Sequence, residues 1–232
     1  MPDAPRQIAK RRLLTAVSLS AAGLILPFGP AMAARHEEKQ PEVTPPEDLM
    51  REHGVLDRLL LVYEACLRKF DANEDFDPAV ISNTAQIVRD FIEDYHEESE
   101  EQAVFPRFKK ARKLVSLVDT LLDQHKAGRR VTDTILKHAP DSRKDGDARH
   151  QVVGAIHAFI TMYRPHAARE DTDLFPLLKE VVSPHEYDAM AEDFEKKEHQ
   201  KFGGDGFEMM VRRVAGIEQG VGIADLAQFT PK

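Results

Sequence analysis

The chain has a single cysteine, Cys66, among its 232 residues. One thiol excludes an intramolecular disulfide and any thiolate zinc site, and its place in the first amphipathic segment reads as a small buried apolar residue. A positive surplus is also missing: 32 Lys and Arg stand against 40 Asp and Glu, for a net charge of −8. That balance argues against a nucleic-acid partner, whose phosphates call for a basic stripe. Nor is there an apolar run long enough to span a bilayer, which takes about 20 residues. The nearest approach, Leu13 to Leu26, follows Arg6, Lys10, Arg11 and Arg12 and precedes the small-x-small Ala31-Met32-Ala33. Residues 1–33 therefore read as a signal peptide cleaved after Ala33, with an uncleaved N-terminal anchor as the alternative. Arg11-Arg12 before Leu13-Leu14 resembles a twin-arginine signal, with ordinary Sec export as the alternative. The mature protein is expected to be periplasmic or otherwise exported, without a membrane span.

The full chain is 42% hydrophobic, enough for one globular domain with a real core. Its most informative stretch is His96 to Pro106, HEESEEQAVFP, echoed at His166 to Pro176, HAAREDTDLFP. In each, a His is followed four residues later by a Glu (Glu100, Glu170), and each ends on Phe-Pro (Phe105-Pro106, Phe175-Pro176). Residues four apart share a helix face, so each copy aims an imidazole and a carboxylate at one spot, a two-pronged metal ligand. One such pair in a chain that is 31% charged would be ordinary helix surface; two with the same ending are a pattern.

Helical periodicity places these units. Residues 34–46, charged and Pro-rich, read as a flexible tether. A first helix over 47–70 carries His53, Leu56, Leu60, Tyr63 and Leu67 on one side. A second, opened by Pro78, lines up Ile81, Ala85, Val88, Ile92 and His96. A third carries Leu114, Val118, Leu121, His125 and Thr132. The fourth, with Val152, Ala155, Phe159, Met162 and His166, is expected to bend at Pro165. Lys109 to Lys113 reads as a basic connector. His53 to His96 spans 43 residues and His125 to His166 spans 41, so two similar helical hairpins about a pseudo-twofold axis are predicted. That makes an all-α, up-down-up-down four-helix bundle over 47–182. Ser183-Pro184-His185-Glu186 is a capping box that opens additional C-terminal helices over 183–232. Ile217, Ile223, Leu226 and Phe229 are expected to pack back onto the bundle, as a lid or an oligomer contact.

An imidazole on an apolar stripe must be paired or ligating. Imidazole plus carboxylate without sulfur suits iron, manganese or zinc, and two carboxylates suit two ions bridged by them. This arrangement resembles the hemerythrin-like, HHE cation-binding family, whose members are four-helix bundles holding a non-haem di-iron centre. The resemblance implies His53, His96, His125 and His166 as terminal ligands of two iron ions. Glu100 and Glu170 would bridge them beside an oxo or hydroxo group. The oxygen-carrying members have a second His four residues after the third-helix His, where this chain has Arg129, and a last carboxylate at the offset occupied here by Asp171. The set of four His and two Glu is closer to the family's iron-centre repair proteins, and leaves about two coordination positions open to water or a small ligand. Tyr163 stands within reach of a bound ligand or is a core tyrosine. Arg129 pairs with a bridging carboxylate or leaves the bundle, and Gly128 permits close helix approach. Phe105, Phe159 and Phe175 would wall the centre or are ordinary core packing. Glu97 and Glu101 read as helix surface, with closure of a coordination gap as the alternative, and His199 reads as helix surface. The expected function is binding or reduction of a small oxidant (dioxygen, nitric oxide or peroxide), with turnover left open. The alternatives are an iron-binding, sensing or iron-centre repair protein without oxygen-carrier role, and a zinc-stapled structural bundle.

Overall fold

A computed structural model describes residues 43–144 and 146–231, which belong to one compact unit. The expected signal peptide and most of the tether lie outside the described residues. Among the described residues there is no strand, and no helix is long and apolar enough to cross a membrane.

The first helix, α1 (Pro45–Asp71), starts two residues earlier than periodicity predicts. Thr44 accepts a hydrogen bond from the Glu47 amide while the Glu47 carboxylate accepts from the Thr44 amide, so a capping box claims the end of the tether. The second helical rod begins as α2 (Ala79–Ile87), opens into π-helix over Val88–Glu97 and Glu100–Val104, and tightens again as α3 (Phe105–Ala111). Part of the expected basic connector is thus the last turn of α3. Left-handed Arg112 and Leu114 then turn the chain into α4 (Val115–His138). The fourth rod, α5 (Asp147–Arg169), continues as α-helix through Pro165 and ends in a π-turn, Glu170–Leu174. A short α6 (Leu178–Val181) leads to α7 (Pro184–Phe202), whose Ser183–Glu186 capping box forms as expected, and then to α8 (Gly206–Val221).

In chain order each long rod packs on the next, and α5 closes the ring against α1. This is the predicted bundle. Two apolar clusters fill it. One runs from Leu56, Leu60, Phe91 and Ile135 to Phe159 and Tyr163 and takes in Met210 and Val214 of α8. The other joins Leu49, Val104, Phe105, Val118 and Phe175 to Met190 and Phe194 of α7. The C-terminal helices are therefore part of the core, docked on α1 and α2. Arg58 on α1 grips Glu218 on α8 with two hydrogen bonds, 2.8 and 2.6 Å. The tail behaves differently from expectation. Ile223 is buried, but Leu226 and Phe229 are exposed on a short 3₁₀ turn.

Candidate metal centre

The four predicted imidazoles and two predicted carboxylates meet in the layer between the two apolar clusters, each at most 4% exposed. His53 Nε2 lies 3.4 Å, and His166 Nε2 3.1 Å, from the same Glu170 oxygen. His96 Nε2 and His125 Nε2 lie 3.7 and 3.5 Å from one Glu100 oxygen. Donor atoms of His53, His96, Glu100 and Glu170 fall within 4.8 Å of one another, as do those of His125, His166 and Glu170. Two adjoining clusters thus share a carboxylate.

The His–Glu–Phe-Pro units owe their shape to the π-turns. Proline at 106 and 176 offers no amide hydrogen, and just before each the ladder slips to a wider turn. The Phe105 amide donates to the Glu100 carbonyl, and the Phe175 amide to the Glu170 carbonyl. Each π-turn fixes the backbone of a buried Glu, and such turns are frequent at functional sites. Each also delivers a Phe to the opposite hairpin: Phe105 stacks on His125 at 5.5 Å and Phe175 on His53 at 5.7 Å. Phe159 packs further back, on Tyr63 and Tyr163.

Every imidazole is held from behind. The outer nitrogen, Nδ1, lies 2.7 Å from Glu52 Oε2 in His96, 2.8 Å from Asp171 Oδ1 in His53, 2.9 Å from Glu101 Oε1 in His125 and 2.9 Å from Gln124 Oε1 in His166. These oxygens accept, so Nδ1 carries the proton and Nε2 turns a lone pair inward. The pattern obeys the pseudo-twofold. The residue before each first-hairpin-helix His (Glu52, Gln124) holds the His of its own hairpin. The residue after each buried Glu (Glu101, Asp171) holds a His of the other.

The interior of the cluster calls for positive charge. All four oxygens of Glu100 and Glu170 are buried without a hydrogen-bond donor, a costly arrangement unless a cation serves them. His125 Nε2 and His166 Nε2 face each other at 3.2 Å, close enough for both to ligate one ion. Burial pushes the Glu100 carboxyl well up, and the Glu170 charge adds to it. Glu170, despite its burial, is held low by His166 and His53. Burial also lowers His96 and His125, whereas at His53 the hydrogen bonds and charges of Asp171 and Glu170 outweigh burial and raise the imidazole to about 9. The residues fit a cation-binding centre: nitrogen and oxygen donors only, inward lone pairs, and oriented rings.

Beside the His125/His166 end lies a second polar network. Tyr163 is buried and its hydroxyl donates to Glu97 Oε1 at 2.6 Å. Arg129 places one nitrogen 2.9 Å from both Glu97 and Glu101, so it serves neither Glu100 nor Glu170. Glu97 is 1% exposed, which corrects its reading as helix surface; burial raises its carboxyl to about 8. Glu101 is half-buried and committed to His125. Gly128 makes room for the tyrosine, since a Cβ there would meet the Tyr163 hydroxyl at 2.0 Å. His199 stays exposed, its Nδ1 against the Glu195 carbonyl.

The fold and cluster define an all-helical protein with a buried His/Glu centre able to hold metal. The chain belongs to the hemerythrin family: the Hemerythrin HHE cation binding domain model matches residues 44–178. It matches a second time over residues 116–230, as a chain built from repeated helix pairs would allow. Uncharacterized proteins of Mycobacterium bovis and of two Mycobacterium tuberculosis strains are 42% identical over 241 aligned positions, covering 100% of this chain and 94% of theirs. No solved structure matches.

Proposed function

We propose that the protein is an exported non-haem di-iron protein that binds or reduces a small oxidant such as dioxygen, nitric oxide or peroxide. The observation that carries this reading is the set of four buried carboxylate oxygens without donors, ringed by inward imidazole nitrogens. His53 and His96 would hold one ion and His125 and His166 the other, with Glu100 and Glu170 shared. Nitrogen and oxygen donors without sulfur suit iron, and the bound pair would supply one- or two-electron redox chemistry. The chain supplies the rest. Phe105 and Phe175 keep the chamber dry, the outer hydrogen bonds fix the rings, and the two π-turns fix the carboxylates.

Arg129 marks the reading as distinct from reversible oxygen carriage. Its guanidinium is spent on Glu97 and Glu101, so the position contributes no fifth imidazole and a coordination position stays open. Export rests on the N-terminal pattern of basic residues, apolar run and Ala31-Met32-Ala33. The test is an optical one. Aerobically purified protein should show the near-ultraviolet charge-transfer band of a bridged ferric pair, which a zinc-stapled bundle lacks. After anaerobic reduction, mixing with dioxygen, nitric oxide or peroxide should restore the band with consumption of the oxidant. Full recovery of unreacted dioxygen on degassing would make it a carrier, and no change with any of the three would overturn the proposal.

A further inference from the structure

The pseudo-twofold pairs the ligands identically, but the groups behind them are unequal. Glu52 backs His96 from a site 1% exposed, and its counterpart behind His166 is Gln124, a neutral amide. The other pair is also uneven. Asp171 is the acid behind His53, whereas Glu101 behind His125 divides its charge with Arg129 at 2.9 Å. Glu97, on the same guanidinium, is shared with Tyr163. Glu97 and Glu101, the acids beside His125 and His166, are thus both tied to the Arg129 guanidinium, whereas Glu52 and Asp171 lie against His96 and His53 at 2.7 and 2.8 Å.

A carboxylate behind an imidazole can draw the Nδ1 proton toward itself and leave more electron density on Nε2; a neutral amide does so far less. Outer partners of this kind change metal affinity by about 10- to 100-fold when altered. Glu52 meets His96 at 2.7 Å in a buried layer where water does not screen the contact, while Asp171 and Glu101 are each about one-third exposed or slightly less.

Resting on the two-ion reading above, we infer that the two metal positions are unequal and that Glu52 and Gln124 are the positioning residues that set the difference. The position served by His53 and His96 is the tight one. The position served by His125 and His166 is the weaker one, first emptied and first exchanged, and it lies on the side of Tyr163, Glu97 and Arg129.

The test is anaerobic competition for ferrous iron between the full chain and a chromophoric chelator, in the wild type and in Glu52→Gln and Gln124→Glu. The wild type should release its two ions in two steps separated by about 10- to 100-fold in chelator concentration. Glu52→Gln should shift the tight step downward and leave the weak one. Gln124→Glu, at a half-buried position that tolerates charge, should shift the weak step upward and leave the tight one. A residue with only a structural role would move both steps together. Two ions leaving the wild type in a single step, or both steps moving in either variant, would overturn the inference while sparing the two-ion reading. A chain that binds fewer than two ions would sink both.

Discussion

Replacing Gly128 by alanine should be unusually damaging for so small a change. In an open helical position the substitution stabilises by about 0.5–1 kcal/mol, because glycine loses more backbone freedom on folding. At Gly128 the new Cβ would sit 2.0 Å from the Tyr163 hydroxyl and 2.7 Å from the ring carbon bearing it. The ring has no escape. Tyr163 is 1% exposed and wedged between Phe159, at 4.3 Å, and His166, at 5.4 Å. Overpacking of this kind costs about 1–3 kcal/mol. If the hydroxyl is also driven off Glu97, a buried acceptor loses its donor at a further cost of about 1–3 kcal/mol. Net of the helix gain, we expect a loss of about 1–5 kcal/mol, with each kcal/mol worth about 2–4 °C in Tm for a domain of this size. Gly154, in α5 with nothing within 4 Å of its would-be Cβ, is the internal control: Gly154→Ala should raise Tm slightly. Thermal denaturation of both variants decides the matter. A Gly128→Ala protein as stable as Gly154→Ala would refute the close packing of Tyr163 on α4.

Other outcomes follow from the same geometry. Arg58→Ala removes two charge-assisted bonds to the mostly buried Glu218 and should cost about 1–3 kcal/mol. Faster hydrogen exchange concentrated in α8 would show it, and unchanged protection there would contradict the docking. Ser183→Ala deletes the cap of α7 and should lower stability by about 1 kcal/mol in chemical denaturation; an unchanged midpoint would deny the capping box its role. Burial pushes the Cys66 thiol up to about 12 from its ordinary 9. It should therefore resist alkylation at pH 8 until the protein is unfolded, and rapid labelling of the native protein would contradict its placement. The sign of the linkage is fixed by the same shift. Between about pH 9 and 12 the unfolded chain gives up a proton that the folded one keeps, so this contribution to stability is intact below that window and lost across it.

Much of the centre is legible in the chain because a ligand on an apolar stripe violates the stripe. His96 follows Ile92 one turn on, and Glu100 follows His96, so a 3.6-residue period alone aligns them. The same period misleads about their neighbours. Glu52, Glu101, Gln124 and Asp171 each adjoin a ligand and so fall about 100° off its face, where surface is the natural reading. An imidazole is long enough that its outer nitrogen reaches toward the adjacent rod, and there the flanking residue meets it. Sequence adjacency to a ligand, repeated in both hairpins, is the signal that could have found them. Asp171 illustrates the point: it is no substitute for Glu170, but the acceptor behind His53. The π-turns are hidden for another reason. They depend on the proline at 106 or 176 withholding an amide, a local effect that an apolar period does not record. Leu226 and Phe229 show the reverse error, since apolar residues on a short terminal turn need not find a core.

Metal content per chain is the most direct measurement. Protein purified from an iron-replete source and analysed by elemental mass spectrometry should carry close to two iron ions per chain, and Glu100→Ala, which removes a shared carboxylate, close to none. A full complement retained by Glu100→Ala, or a wild-type chain that holds no metal after iron loading, would mean that the six converging side chains are not a metal centre.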